Sequence, residues 1–184
     1  MAYTSIIPVH RLDNSVDYVL DEKKASRSQN ADSLQAAVDY ALNKDKTEQD
    51  LFCSAIGCTL DSAFEDMRQI KRMWHKEKGV QGFHLVQSFA AGEVTPELAH
   101  QIGRELADRL LDGKFQVVIS THLNTGHIHN HLVWNSVSIQ TGKKYRSNEK
   151  SYVTGVRRIS DELCRKYHLS VIDTEKSERV ARPY

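Results

Sequence analysis

The chain has 184 residues, 25 Lys and Arg against 24 Asp and Glu, a formal net charge of +1 and 40% hydrophobic residues. That length suits one domain with a sizeable core, and so even a charge balance gives no compositional sign of a nucleic-acid binder. No apolar run is long enough to span a bilayer and the N-terminus lacks a signal-peptide core, so the expectation is a soluble, cytoplasmic protein without membrane insertion.

Cys53, Cys58 and Cys164 form no CxxC pair, and an odd number cannot all pair with each other. They read as reduced thiols. Charge is uneven along the chain. Residues 143–166 hold Lys143, Lys144, Arg146, Lys150, Arg157, Arg158, Arg165 and Lys166 against three acids, a local basic arm.

Taken in order, residues 3–9 predict a short strand carrying Ile6, Ile7 and Val9. A brief helix over 16–22 presents Tyr18, and a polar stretch follows over 23–31. A second helix over 33–42 presents Tyr40; Ser15–Asp21 and Ala37–Asn43 echo each other locally. Residues 51–56 read as a strand stopped at Gly57. A helix from Thr59 or Asp61 to about Lys76 carries Phe64, Met67, Ile70 and Trp74 at helical spacing. Residues 82–89 alternate as a strand. Thr95-Pro96-Glu97 is a helix start, a hydroxyl cap with Pro in the first turn, and that helix runs to about Leu111. Strands over 115–122 and 128–138 follow, then a turn at Thr141-Gly142, a helix over 151–167 and a short strand over 169–172. The charged stretch 174–184 resembles the start of a linker, leaving 1–173 as the domain. This order predicts an α/β fold of the α+β two-layer kind: one mostly antiparallel sheet, helices over one face, and an open opposite face.

The stretch from Ser120 to Ser136 carries the chemistry. It holds four histidines in ten residues. Alternation puts His127, His129 and His131 on one face of the second strand and His122 on one face of the first. If the strands pair as a hairpin, His122 lies beside His129 and His131, with Ile128, Leu132 and Trp134 on the reverse side. Three neutral imidazoles from adjacent strands make a metal site with an open coordination position. Without a carboxylate ligand the ion keeps its full double charge, which suits polarising an anionic phosphate oxygen. Water as nucleophile gives a hydrolase, and tyrosine a covalent phosphotyrosyl enzyme. Spacing alone leaves Tyr18, Tyr40, Tyr145, Tyr152 and Tyr167 open. His84 falls outside the triad and is expected to be indifferent to metal.

The intervals His122, His129, His131 and Asn135 resemble the third motif of the conjugative relaxases, or mobilisation nucleases, of the MOBP class in the HUH endonuclease superfamily. Gln87-Ser88-Phe89 with Gly92-Glu93-Val94-Thr95-Pro96 resembles their second motif. Ser160–Cys164 with Leu169-Ser170-Val171 resembles their closing helix and strand, as in relaxases of integrative elements and mobilisable transposons. Asp17-Tyr18-Val19-Leu20 resembles their first, tyrosine-bearing motif. The resemblance implies a relaxase: a metal-dependent nuclease that nicks and rejoins single-stranded or hairpin origin-of-transfer DNA through a 5′-phosphotyrosyl link. It implies Tyr18 as nucleophile, with Tyr40 as the alternative because the motif occurs twice. It makes Ser88, Asn135, Lys143, Lys144, Arg146, Arg157 and Arg158 candidate DNA contacts. Manganese or magnesium is the expected ion; imidazoles alone also admit zinc or nickel. A monomer working with accessory DNA-binding and coupling proteins is implied. Two departures stand out: Asn124 replaces an Asp usual after the first ligand, and His127 is extra. The rival readings are a replication initiator using the downstream Tyr152, and a three-histidine zinc hydrolase using water.

Overall fold

The computed structural model describes residues 2–10, 33–42, 52–123 and 126–172. The helix over 16–22 with Tyr18, the polar stretch 23–31 and the tail 174–184 lie outside the described residues.

Five strands make one sheet: β1 (Tyr3–Val9), β2 (Cys53–Ile56), β3 (Gly82–Ser88), β4 (Val117–His122) and β5 (His129–Asn135), in the order β1-β3-β5-β4-β2. Every pairing is antiparallel. The helices are α1 (Leu34–Ala41), α2 (Ala63–Met73), α3 (Pro96–Leu111), a single turn α4 (Glu149–Ser151), a π-helical stretch Tyr152–Arg157 and α5 (Arg158–Lys166). The expected start of α3 is borne out: Thr95 caps it by accepting from the Leu98 N–H, and Asp112 closes it in the left-handed region at φ 51°. The expected last strand shrinks to a single parallel bridge, Ala2 with Val171.

The fold class is the expected α/β one around an antiparallel sheet, but its layering differs. Helices cover both faces. On one face α3 and α5 pack Ile102, Leu106 and Leu163 against Leu85, Ile119, Leu132 and Trp134. On the other, α1 and α2 pack Leu34, Ala37, Val38 and Met67 over Val9, Val118 and Val133. The reason lies in the inner strands: Val118 and Val133 sit on the histidine-bearing side, and two apolar rows cannot be left in water. That side is therefore roofed, and the histidines sit at the end of α1, with only His129 of the three partly exposed.

The roof is fastened by a buried lysine. Lys71 of α2 is fully buried and donates to the Gln81 carbonyl at 2.6 Å and to Asn135 Oδ1. Asn135 in turn donates to the Met67 carbonyl at 3.1 Å and to Gln116 Oε1 at 2.9 Å. Burial, with Lys144 adding like-charge repulsion, pulls the Lys71 amine down to about 7. An ordinary lysine in the unfolded chain keeps its proton to about 10.5. Between those values the unfolded chain holds a proton that the folded chain has released, so stability rises with pH across that window. Thermal unfolding followed from pH 7 to 10.5 should show this rise, and Lys71→Met should flatten it. An equally steep rise in Lys71→Met would assign the dependence elsewhere.

Candidate metal centre and active site

The site is built by register. β4 and β5 pair with His122 opposite His129 and Ser120 opposite His131. Opposed residues share a face, so all three imidazoles stand on one side at one end of the sheet. Their rings lie 4.2 Å (His122–His131), 4.9 Å (His129–His131) and 5.3 Å (His122–His129) apart, centroid to centroid. One nitrogen from each falls in a group whose members are all within 4.8 Å of one another. That is rotamer-scale adjustment away from sharing an ion at about 2.0–2.1 Å from each nitrogen. His122 and His131 are buried, and His129 is partly exposed. The donor set suits a divalent ion with room for other ligands.

Each ring is oriented by a hydrogen bond on its other nitrogen. His122 donates Nε2–H to the Ala41 carbonyl at the end of α1, 2.8 Å away. His129 donates Nδ1–H to the His127 carbonyl at 3.0 Å. His131 Nδ1 lies 2.8 Å from Nε2 of His84. These bonds make His122 Nδ1, His129 Nε2 and His131 Nε2 the nitrogens that could hold an ion. They also correct two readings. His84 is no bystander: it bonds His131, it is buried, and burial first and His122 second push its imidazole down to about 4, keeping it neutral. His127, exposed in the turn, contributes its backbone carbonyl to the orientation of His129. Asn124 lies outside the described residues.

The reverse face beneath the triad carries a buried polar chain. Ser54 Oγ lies 2.7 Å from His100 Nε2, and His100 Nδ1 lies 3.0 Å from Thr121 Oγ1. Thr121 donates to Asn130 Oδ1 at 2.7 Å. Its single proton is then committed, so His100 donates from Nδ1 and accepts at Nε2 from Ser54. Asn130 donates to Gln87 Oε1 at 3.0 Å and to the Ala99 carbonyl at 2.7 Å. Gln87 donates to Ser160 Oγ at 2.8 Å. Thr121 and Asn130 are the immediate neighbours of the ligands in sequence, so the chain ties β4, β5 and β3 to α3 and α5 where the triad is mounted. Sequence reasoning missed this set. Its signal is polar Gln87, Thr121 and Asn130 on the side of their strands that otherwise faces the core.

Among the described tyrosines, Tyr40 is the one with rings of the triad against it. Its centroid is 5.2 Å from that of His131 and 5.6 Å from that of His122. Tyr152 is on the other side of the sheet, donating to the Thr4 carbonyl at 2.6 Å, away from the triad. Tyr145 packs with Phe83 and Trp134, and Tyr167 bonds Glu105.

The candidate DNA contacts divide. Ser88 pairs with His129 and is half-buried at the site. Asn135 is a correction: it is fully buried at the far end of β5, its amide spent on Lys71, Met67 and Gln116, so it braces the core and meets no ligand. Lys143 and Lys144 also lie past that end, and Lys144 donates to the Val80 carbonyl at 3.0 Å. β5 separates them from His129 by about 20 Å. Arg146 and Arg158 are exposed; Arg158 pairs with Glu162 at 2.9 Å. Arg157 lines a depression beside Tyr3 and Tyr152.

Residues 40–169 match the family model described as relaxase, MobA/VirD2-like, nuclease domain. The chain belongs to this MobA/VirD2-like relaxase family. It is 38% identical over 144 residues to "Protein rlx" of Staphylococcus aureus, covering 78% of this chain and 44% of that protein. It is 30% identical to the "Group II intron-interrupted relaxase LtrB" of Lactococcus lactis subsp. cremoris, covering 94% of this chain and 38% of that one. The chain thus spans less than half the length of these relatives. A solved structure described as "Molecular Basis of Vancomycin Resistance Transfer in Staphylococcus aureus" shares the fold at TM-score 0.53 and 12% identity, covering 93% of this chain and 96% of the other. Among the described residues of this relaxase-family domain, no helix is long and apolar enough to cross a membrane.

Removing the partner that orients a ligand weakens metal binding by about 10- to 100-fold in comparable sites. Calorimetric titration with manganese should therefore show His84→Ala weakened on that scale and His127→Ala unchanged. Equal affinity for wild type and His84→Ala would mean that the bond to His131 does not orient the ligand.

Proposed function

We propose that this domain is a metal-dependent relaxase that nicks and rejoins single-stranded or hairpin DNA at an origin of transfer. The observation that carries this reading is three oriented imidazoles gathered at one sheet end, in a chain of the relaxase family. His122, His129 and His131 hold the ion; manganese fits both an all-imidazole set and phosphate chemistry, with magnesium next and zinc or nickel behind. When bound, the ion supplies positive charge that orients the scissile phosphate and offsets its developing charge. A tyrosine Oη attacks the phosphorus as the phenol loses its proton. The bond from phosphorus to the 3′-oxygen breaks, leaving a 5′-phosphotyrosyl link and a protonated 3′-hydroxyl. Since one phosphodiester replaces another, the reverse attack reseals the strand.

Tyr18 is the first reading for the nucleophile, on its motif. Tyr40 is the second, favoured by its ring contacts with His131 and His122. A phenol is about one part in a thousand ionised at neutral pH, so either needs the charge of this site to attack. Ser88 at the triad and Arg157 beside the β1 edge are the DNA contacts with the best positions; Arg146, Arg158 and Lys143 are exposed further off. We assign residues 1–173 to this domain and 174–184 to the start of a linker, and we place the monomer in the cytoplasm with accessory DNA-binding and coupling proteins as partners.

Labelled single-stranded origin DNA incubated with manganese should give a covalent protein–DNA adduct on a denaturing gel. Tyr18→Phe should abolish it while keeping DNA and metal binding, and Tyr40→Phe should retain it. The opposite pattern would make Tyr40 the nucleophile. Cleavage without any adduct would replace the relaxase reading with a water-using hydrolase.

A further inference from the structure

Tyr3 is a large aromatic residue left 57% exposed on a strand of the central sheet. Its place in the register is the telling feature. Tyr3 pairs with Ser88, Ser88 with His129, and His129 with His122. These four residues form one row across the sheet and share the histidine-bearing face. Two strand spacings separate the Tyr3 backbone from that of His129, about 10 Å. Its row-mate Ser88 is small and half-buried, so the side chain between them does not wall the aromatic ring off from the site.

Among the described residues, no hydrogen bond, ion pair or ring contact engages the Tyr3 side chain. Its neighbour Thr4 faces the other way, is buried and is held by Tyr152. Val9, six residues on along the same face, is buried under α1. Among the described residues, the strand thus has one end roofed and the end beside the triad uncovered. A depression of about 230 Å³ lies at this sheet edge toward the reverse side, lined by Thr4 and Tyr152 with Tyr3, Arg157 and Asp161.

We propose that Tyr3 is the base-stacking platform for a nucleotide next to the scissile phosphate. The proposal rests on the DNA reading above and adds to it the residue that holds the strand flat beside the triad. A single strand offers alternating charge and π-faces. The triad takes the phosphate, and an exposed ring two strands away on the same face takes an adjacent base. Stacking of this kind is tolerant of sequence, because every base has a π-face. Tyr3 then contributes grip and flatness at the site, leaving sequence choice to other contacts.

The test uses the whole chain and two labelled probes without added metal: oligo(dT), and a strand of the same length that is abasic throughout. Tyr3→Ala should weaken oligo(dT) binding by about tenfold, on the scale of one lost base–aromatic stack. It should leave binding of the abasic strand unchanged, and Tyr3→Trp should bind oligo(dT) at least as well as wild type. Manganese affinity should be the same in all three proteins, because Tyr3 does not touch the ligands. Equal effects of Tyr3→Ala on both strands, or none on either, would overturn the stacking role while leaving the relaxase reading in place. A wild-type protein that bound neither strand would overturn the DNA reading, and this role with it.

Discussion

The register of β4 against β5 is the constraint on which the rest depends. Side chains alternate along a strand, so a slip of one residue would turn His129 and His131 into the core and Asn130 out to the site. The apolar pairs Ile119–Leu132 and Val118–Val133 penalise such a slip on both faces, because each is buried under helices. The polar chain through Thr121, Asn130 and Gln87 penalises it again, since a displaced Asn130 would leave several buried partners unsatisfied. Gly103 of α3 fits this arrangement: a Cβ there would sit 2.8 Å from Asn130 Nδ2, so the helix approaches the strand only because the side chain is absent.

The same alternation divides labour between the two sides of the sheet. One side of β5 builds core and brace with Asn130, Leu132 and Trp134, and the other presents ligands before being roofed at Val133. Rigidity at the back then serves precision at the front. The roof is itself linked to the site, because α1 ends on the Ala41 carbonyl that orients His122 and carries Tyr40 against the rings. Apolar packing of Leu34, Ala37 and Val38 therefore reaches the geometry of His122 through one helix.

Much of this was legible in the sequence because it follows from period. The two-residue period placed His122, His129 and His131 on one face, and the Thr95-Pro96 start placed α3. What period cannot show is which residue from a distant strand completes a hydrogen bond. His84 looked indifferent because its bond to His131 crosses 47 residues of sequence. Asn135 looked like a DNA contact because its interval from the histidines fits a motif, yet the buried Lys71 that engages it sits on another helix. Likewise, charge density in the basic arm gave no hint that β5 would carry Lys143 and Lys144 away from the triad. The layering was misjudged for a related reason: Val118 and Val133 needed a cover, and the two helices that supply it precede the ligand strands in the chain.

The central claim is that one ion is shared by three histidines held in this register. The most direct test is manganese stoichiometry by electron paramagnetic resonance on the purified chain. Wild type should bind one ion with a signal showing nitrogen coordination, and His122→Ala, His129→Ala and His131→Ala should each lose it while keeping the wild-type circular dichroism spectrum. Retention of the nitrogen-coordinated ion in any of the three variants, or no bound ion in the wild type, would contradict the account.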